Sequence, residues 1–106
     1  MHFAQIFSNL DTQSRLIENG GGIVHFNKIG NTILINAEPS ELIYTINAGG
    51  IIVNNLPYVS TNESKIIIVV GQHSATATVK NNIITSDGEI QNGEKIFINS
   101  AYQLQD

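Results

Sequence analysis

The 106-residue chain has no cysteine, no tryptophan, only two prolines, and five basic side chains against nine acidic ones. Without cysteine there is neither a disulfide framework nor a thiolate metal site, so stability has to come from core burial and association. A reducing compartment fits. The cations Arg15, Lys28, Lys65, Lys80 and Lys95 are scattered and the net charge is -4. That argues against phosphate-driven nucleic-acid binding and against attraction to an anionic membrane. The longest apolar run, Ile66 to Val70, is far too short to span a bilayer, and the N-terminus lacks the basic and apolar blocks of a secretion signal. A soluble product made in the cytoplasm is the expectation.

What the chain does contain is β-branched aliphatic residues: 18 isoleucines and six valines, against six leucines and six alanines. Such side chains fit strands better than helices, so the expected fold is mainly β. One segment reads differently. Phe3, Ile6, Phe7, Leu10 and Ile17 fall near one stripe at helical spacing, which predicts an α-helix from about Phe3 to Glu18. Asn19-Gly20-Gly21-Gly22 then ends it and hinges it to the rest. The expected architecture is a small β-barrel or sandwich over residues 23–106, preceded by an N-terminal helix and glycine hinge over residues 1–22.

From Ile23 onward, short apolar runs are broken every eight to twelve residues by turn formers, as in a sandwich or barrel. Candidate strands are 23–26, 32–36, 42–46, 51–53, 58–59, 65–70, 75–79, 89–91, 95–99 and 101–105. The run from Lys65 to Val70 does not alternate, which predicts burial on both faces. Asn92-Gly93 predicts a tight hairpin between Ile90 and Lys95. Ile33, Ile35, Ile66, Ile68, Val70, Ile96, Ile98, Tyr102 and Leu104 are the expected core. Ile51, Ile52 and Val53 follow Ala48-Gly49-Gly50 and sit near the tip of a loop, where they must bury in this chain or in a neighbour.

Catalysis needs convergent titratable groups, and the chain offers few. His2, His25 and His73 share no spacing that brings them together, and no zinc or calcium motif is present, so a structural role is expected for each. The close carboxylate pairs, Glu38 with Glu41 and Asp87 with Glu89, flank turn residues and read as solvated turns. The glycine triplet lacks the Lys-Ser/Thr of a phosphate cradle, and Ser74 and Ser100 sit in no nucleophile elbow. No catalytic residue, cofactor or metal site is expected. Thirteen asparagines and seven threonines instead give a polar surface of low charge. Such a surface suits protein association, though A+T-rich codon usage accounts for it equally well.

The last segment carries the most specific pattern. Gly93-Glu94 leads into alternating Ile96 and Ile98, Asn99-Ser100 makes a turn, and Tyr102 with Leu104 closes the unit. This resembles the closing pattern of lambda-type head-tail joining (connector or stopper) proteins of tailed bacteriophages. The opening Phe3-Ala4-Gln5-Ile6-Phe7 and the total length are also similar. Glu94 stands where that group often has aspartate, and residues 48–64 match no part of the pattern.

The resemblance implies a non-catalytic virion protein of a phage or prophage, made in the host cytoplasm and joining the filled head to the tail at the neck. Its partners would be the head connector or portal side, the tail side and further copies of itself. It would form an oligomeric ring on assembly and could stay monomeric when free. Phe3, Ile6, Phe7, Leu10, Ile51, Ile52 and Val53 are then the expected partner-binding residues. A tail-tube, tail-terminator or baseplate component is the nearest alternative, and a stand-alone inhibitor or adhesin subunit the next.

Overall fold

A computed structural model describes residues 12–20 and 22–104. They form one eight-stranded antiparallel sheet, nearly closed into a barrel: β1 (Thr12–Leu16), β2 (Ile23–Ile29), β3 (Thr32–Glu41), β4 (Ile51–Val53), β5 (Ser60–Val70), β6 (His73–Asn81), β7 (Ile83–Ser86) and β8 (Lys95–Gln103). The spatial order is β1-β2-β3-β8-β5-β6-β7-β4. Three tight turns share one device. Gly30, Gly71 and Asn81 are each the first residue of a two-residue loop and hold φ near +60°, the backbone twist that lets neighbouring strands continue without splaying.

The expected N-terminal helix is overturned where it can be compared. Thr12–Leu16 is a strand paired with β2, from Thr12 opposite Asn27 to Leu16 opposite Ile23, and the described residues contain no helix. Residues 3–11 lie outside the described residues. The helical stripe misled because Leu10 and Ile17 suit a 3.6-residue period only if the intervening polar run coils. The cross-strand ladder instead satisfies the backbone groups of residues 12–16 in extended form, and of the described residues 12–18 only Ile17 is buried.

The strands bury alternate residues. Val24 and Phe26 on β2, Ile33, Ile35 and Ala37 on β3, Ile66, Ile68 and Val70 on β5, and Ile96, Ile98 and Tyr102 on β8 fill the interior. The interior is therefore a packed core, as in other small barrels, and not a lumen. Leu104 packs half-buried against it. The run 65–70 is not covered on both faces: Ile67 is 61% exposed between buried Ile66 and Ile68. Its inner face needed only every second residue.

Other expectations change in detail. The candidate strands 95–99 and 101–105 merge into β8, and β7 was not expected. The segments 42–46 and 89–91 form no strands. They meet through an isolated bridge between Ile46 and Ile90. Asn92-Gly93 does not close a hairpin from Ile90 to Lys95, because Ile90 bonds Ile46 while Lys95 pairs with Glu41. Gly93 alone takes positive φ there.

The barrel closes between its edge strands without a ladder. Ile17 bridges Val53, and Glu18 N donates to Ile52 O at 2.9 Å. Farther along the seam, Arg15 Nε donates to Asn55 O at 2.6 Å and its Nη1 to Ser14 O at 2.8 Å. The guanidinium thus occupies carbonyls that an exposed edge would otherwise offer to another chain. On the far side, Tyr102 Oη donates to Tyr58 O at 2.6 Å. Burial, and secondarily the neighbouring Tyr58, push the Tyr102 phenol well above its ordinary value, so it stays a donor.

Candidate functional site

The expected partner-binding residues separate. Phe3, Ile6, Phe7 and Leu10 lie outside the described residues, as does His2. Ile51 faces outward on β4, while Ile52 and Val53 are fully buried in this chain's own core. Residues 51–53 are not a loop tip: β4 pairs with β7, Ile51 opposite Thr85 and Val53 opposite Ile84.

The histidines lie in different grooves. His25 stands on the outer wall, between a groove of about 410 Å³ that it lines with Ile23, Asn36 and Glu38 and another of about 470 Å³ that it lines with Asn27 and Asn99. His73 lines a smaller groove of about 210 Å³ with Glu89 and Glu94. No group of three His, Asp or Glu among the described residues could hold a metal ion.

One pair that the sequence did not reveal is Ser14 with His25. Ser14 Oγ lies 3.0 Å from His25 Nδ1 across the β1–β2 ladder. Reading residues 12–18 as a helix hid this contact, since it exists only between paired strands. A hydroxyl and an imidazole at this distance are the first two members of a nucleophile relay. Both are exposed to water, however, and Asn36, the cross-strand neighbour of His25 on β3, carries no negative charge to stabilise an imidazolium. The geometry suits a polar surface contact.

The most developed polar cluster joins β5, β6 and the residue after β7. Thr78 Oγ1 donates to Asp87 Oδ1 at 2.6 Å and Thr76 Oγ1 to Asp87 Oδ2 at 2.7 Å. Lys65 Nζ stands 3.2 Å from both carboxylate oxygens and donates to Thr78 Oγ1 at 2.6 Å. Chain topology makes the cluster, because Lys65 pairs with Thr78 and the turn after Ser86 brings Asp87 back over the same strands. Every acceptor faces a donor within the protein, which leaves the carboxylate little capacity for a ligand.

The Thr78 hydroxyl and then the Thr76 hydroxyl hold the Asp87 carboxyl below its ordinary 3.8, against an opposing effect of burial, and Lys65 adds the smallest lowering through its hydrogen bond and charge. A folded-state value below the unfolded one means that the cluster stabilises the fold above pH 3.8 and loses that effect as pH falls through the lowered value. With Lys65 57% exposed, screening keeps the contribution small. Asp87→Ala is therefore expected to cost about 1 kcal/mol near neutrality. In urea titrations, wild type and variant should converge in stability at acid pH, and a difference that persists below the lowered value would contradict this account.

Apolar side chains also stand exposed. Leu16, Ile23, Ile43 and Tyr44 are 53% to 65% exposed. Leu16 and Ile23 are cross-strand partners beside the β1–β2 turn, and Ile43 N donates to Asn19 O of that same turn at 2.8 Å. The four therefore gather at one end of the barrel. Gly22 permits this close approach, since a Cβ there would overlap the Ser40 side chain. No protein-family model, curated protein or solved structure matches this chain.

Proposed function

We propose that this protein is a structural component of a tailed-phage virion that joins the filled head to the tail, acting by packing between proteins and not by catalysis. The observation that carries the reading is the group of exposed aliphatic and aromatic side chains, Leu16, Ile23, Ile43 and Tyr44, on a barrel whose interior is already filled. A barrel with no lumen works through its outer surface, and clustered apolar side chains there are a feature of protein contacts. The family resemblance of the closing segment adds the setting. Its Ile96, Ile98 and Tyr102 build the inner face of β8, which makes the pattern a fold-forming one and leaves contact with partners to other surfaces.

The reading includes a ring of copies at the neck, with contacts to the connector side and the tail side. A stand-alone binding module is the second reading, favoured by the outer groove lined by Thr12, His25, Asn27, Asn36 and Asn99. Uncharged amide and hydroxyl groups stand there beside Leu34, a mixture that suits a polar ligand with some apolar surface.

Deleting the gene from the genome that encodes it tests the proposal. Packaged heads and free tails should accumulate side by side, infectious titre should collapse, and added purified protein should restore tailed particles. Undiminished titre, or a genome that yields no particles, would overturn it.

A further inference from the structure

We infer that Asn19 is a site of spontaneous covalent modification: in the folded chain its side-chain amide is lost to attack by the Gly20 nitrogen, ahead of the chemically equivalent pair Asn92-Gly93. The inference does not depend on the virion reading.

The reaction needs no partner. The Gly20 nitrogen bonds to the Asn19 side-chain carbonyl carbon, the amide C–N bond breaks, and the proton of the attacking nitrogen leaves with ammonia. A cyclic imide remains. Water then adds to one of its two carbonyls and breaks a ring C–N bond, giving aspartate or isoaspartate. In isoaspartate the main chain runs through the side-chain carbons. Glycine hinders the attack least, because no Cβ stands beside its nitrogen. The nitrogen must also be free to give up its proton.

Three bonds in the sequence join an Asn or Asp to glycine: Asn19-Gly20, Asp87-Gly88 and Asn92-Gly93. The sequence ranks the two Asn-Gly pairs alike, and the fold separates them. Gly93 N donates to Leu42 O at 2.9 Å, and Asn92 N donates at 3.1 Å to Thr45 Oγ1, 47 residues away. Glu94 N donates to Gln91 O at 3.2 Å and closes the same turn again. Leu42 is fully buried, so its carbonyl is released only when the surrounding structure opens.

Gly20 N instead reaches only Ile17 O, at 3.3 Å, beyond the ordinary range for an amide hydrogen bond. Exposure would rank the pairs the other way, since Asn92 and Gly93 are exposed while Asn19 and Gly20 are half-buried. The amide proton has to go before the ring can close, and the bond that holds it therefore outweighs exposure of the side chain. Asp87 is spared because Thr76, Thr78 and Lys65 engage both its oxygens, and an engaged carboxylate is a poor target for a nitrogen.

The consequence falls on the apolar end of the barrel. Asn19 O accepts from Ile43 N at 2.8 Å, and Gly22, later in the same turn, lies against Ser40. Isoaspartate lengthens the chain between these two contacts by one carbon and adds a carboxylate near Leu16, Ile23 and Ile43. The turn should then fit residues 40–43 less well, and the fold should lose stability.

The test holds the purified chain in warm, mildly alkaline buffer, either folded or in concentrated guanidinium chloride. Peptide mass spectrometry follows each site, and enzymatic methylation marks isoaspartate. In the folded chain Asn19 should convert several-fold faster than Asn92, with Asp87 unchanged. In the unfolded chain the two asparagines should convert at similar rates, because the hydrogen bonds that separate them are gone. Asn19→Gln should abolish the fast conversion and Asn92→Gln should leave it intact. Chain converted at Asn19 should unfold at a lower urea midpoint than unconverted chain. An Asn92 that converts as fast as Asn19 in the folded chain, an Asn19 that converts only when unfolded, or a preference for Asn19 that survives denaturation would each overturn the inference.

Discussion

Phe26→Ala is expected to lower the unfolding free energy by about 3–5 kcal/mol, the largest loss of any single truncation in the barrel. Phe26 is the largest of the fully buried side chains and sits on β2, between Gln13 of β1 and Ile35 of β3 in the ladder register. Removing the ring forfeits its transfer free energy and leaves a cavity that rigid strands on both sides cannot close. A domain of this size holds about 5–15 kcal/mol in all, so the variant should lie near the edge of folding at ambient temperature. Urea titration reads the loss as a lowered midpoint with an unchanged slope. A midpoint within experimental error of wild type would mean that the interior is not packed as described.

Gly22→Ala is the second large effect, and it tests packing where the sequence suggested freedom. A Cβ on Gly22 would fall on the Ser40 Cβ and Oγ, far inside van der Waals contact, and although Oγ can rotate away the Cβ is fixed to the backbone of β3. The neighbouring turn has little room to yield, because Ile17 N donates to Gly22 O at 2.8 Å and Ile43 N to Asn19 O at 2.8 Å. Overpacking of this kind costs about 1–3 kcal/mol. Ser40→Gly should recover much of that loss in the double variant, a coupling expected only between residues in contact. If Gly22→Ala is neutral, or if the two losses simply add, the close approach of β3 to the β1–β2 turn is not what fixes glycine at this position.

These two sites also mark how far the sequence could be read. Phe26 lies within the predicted strand 23–26, yet its inward direction was not among the expected core positions. Gly22 was legible as a glycine but not for its reason. In the sequence Gly20-Gly21-Gly22 signals conformational freedom, whereas the fold uses Gly22 for absence of bulk. Contact with a residue eighteen positions away leaves no local trace. The same limit hid the Ser14–His25 contact and the Lys65–Thr78–Asp87 cluster. Both are products of register, since a shift of one residue in either ladder would turn those side chains to opposite faces.

The candidate surface was legible only in part. Ile51 was singled out as a loop residue seeking cover, and it does face outward, but its neighbours Ile52 and Val53 complete the core of their own chain. Leu16, Ile23, Ile43 and Tyr44 passed as members of predicted elements because exposure follows from which face a strand turns inward. Composition cannot supply that.

The sequence by itself determined a cysteine-free, β-branched chain that folds as strands with alternating or continuous apolar faces, and it identified most of the inner residues of β3, β5 and β8. Those follow from period and propensity, which act within a few residues along the chain. Tertiary structure alone decided that Thr12–Leu16 is a strand, that the sheet closes through Ile17, Val53 and Arg15, and that Leu16, Ile23, Ile43 and Tyr44 collect at one end. Each of these depends on ladder partners far away in sequence, whose backbone hydrogen bonds and shared core outweigh the weak helical periodicity of a short amphipathic stretch.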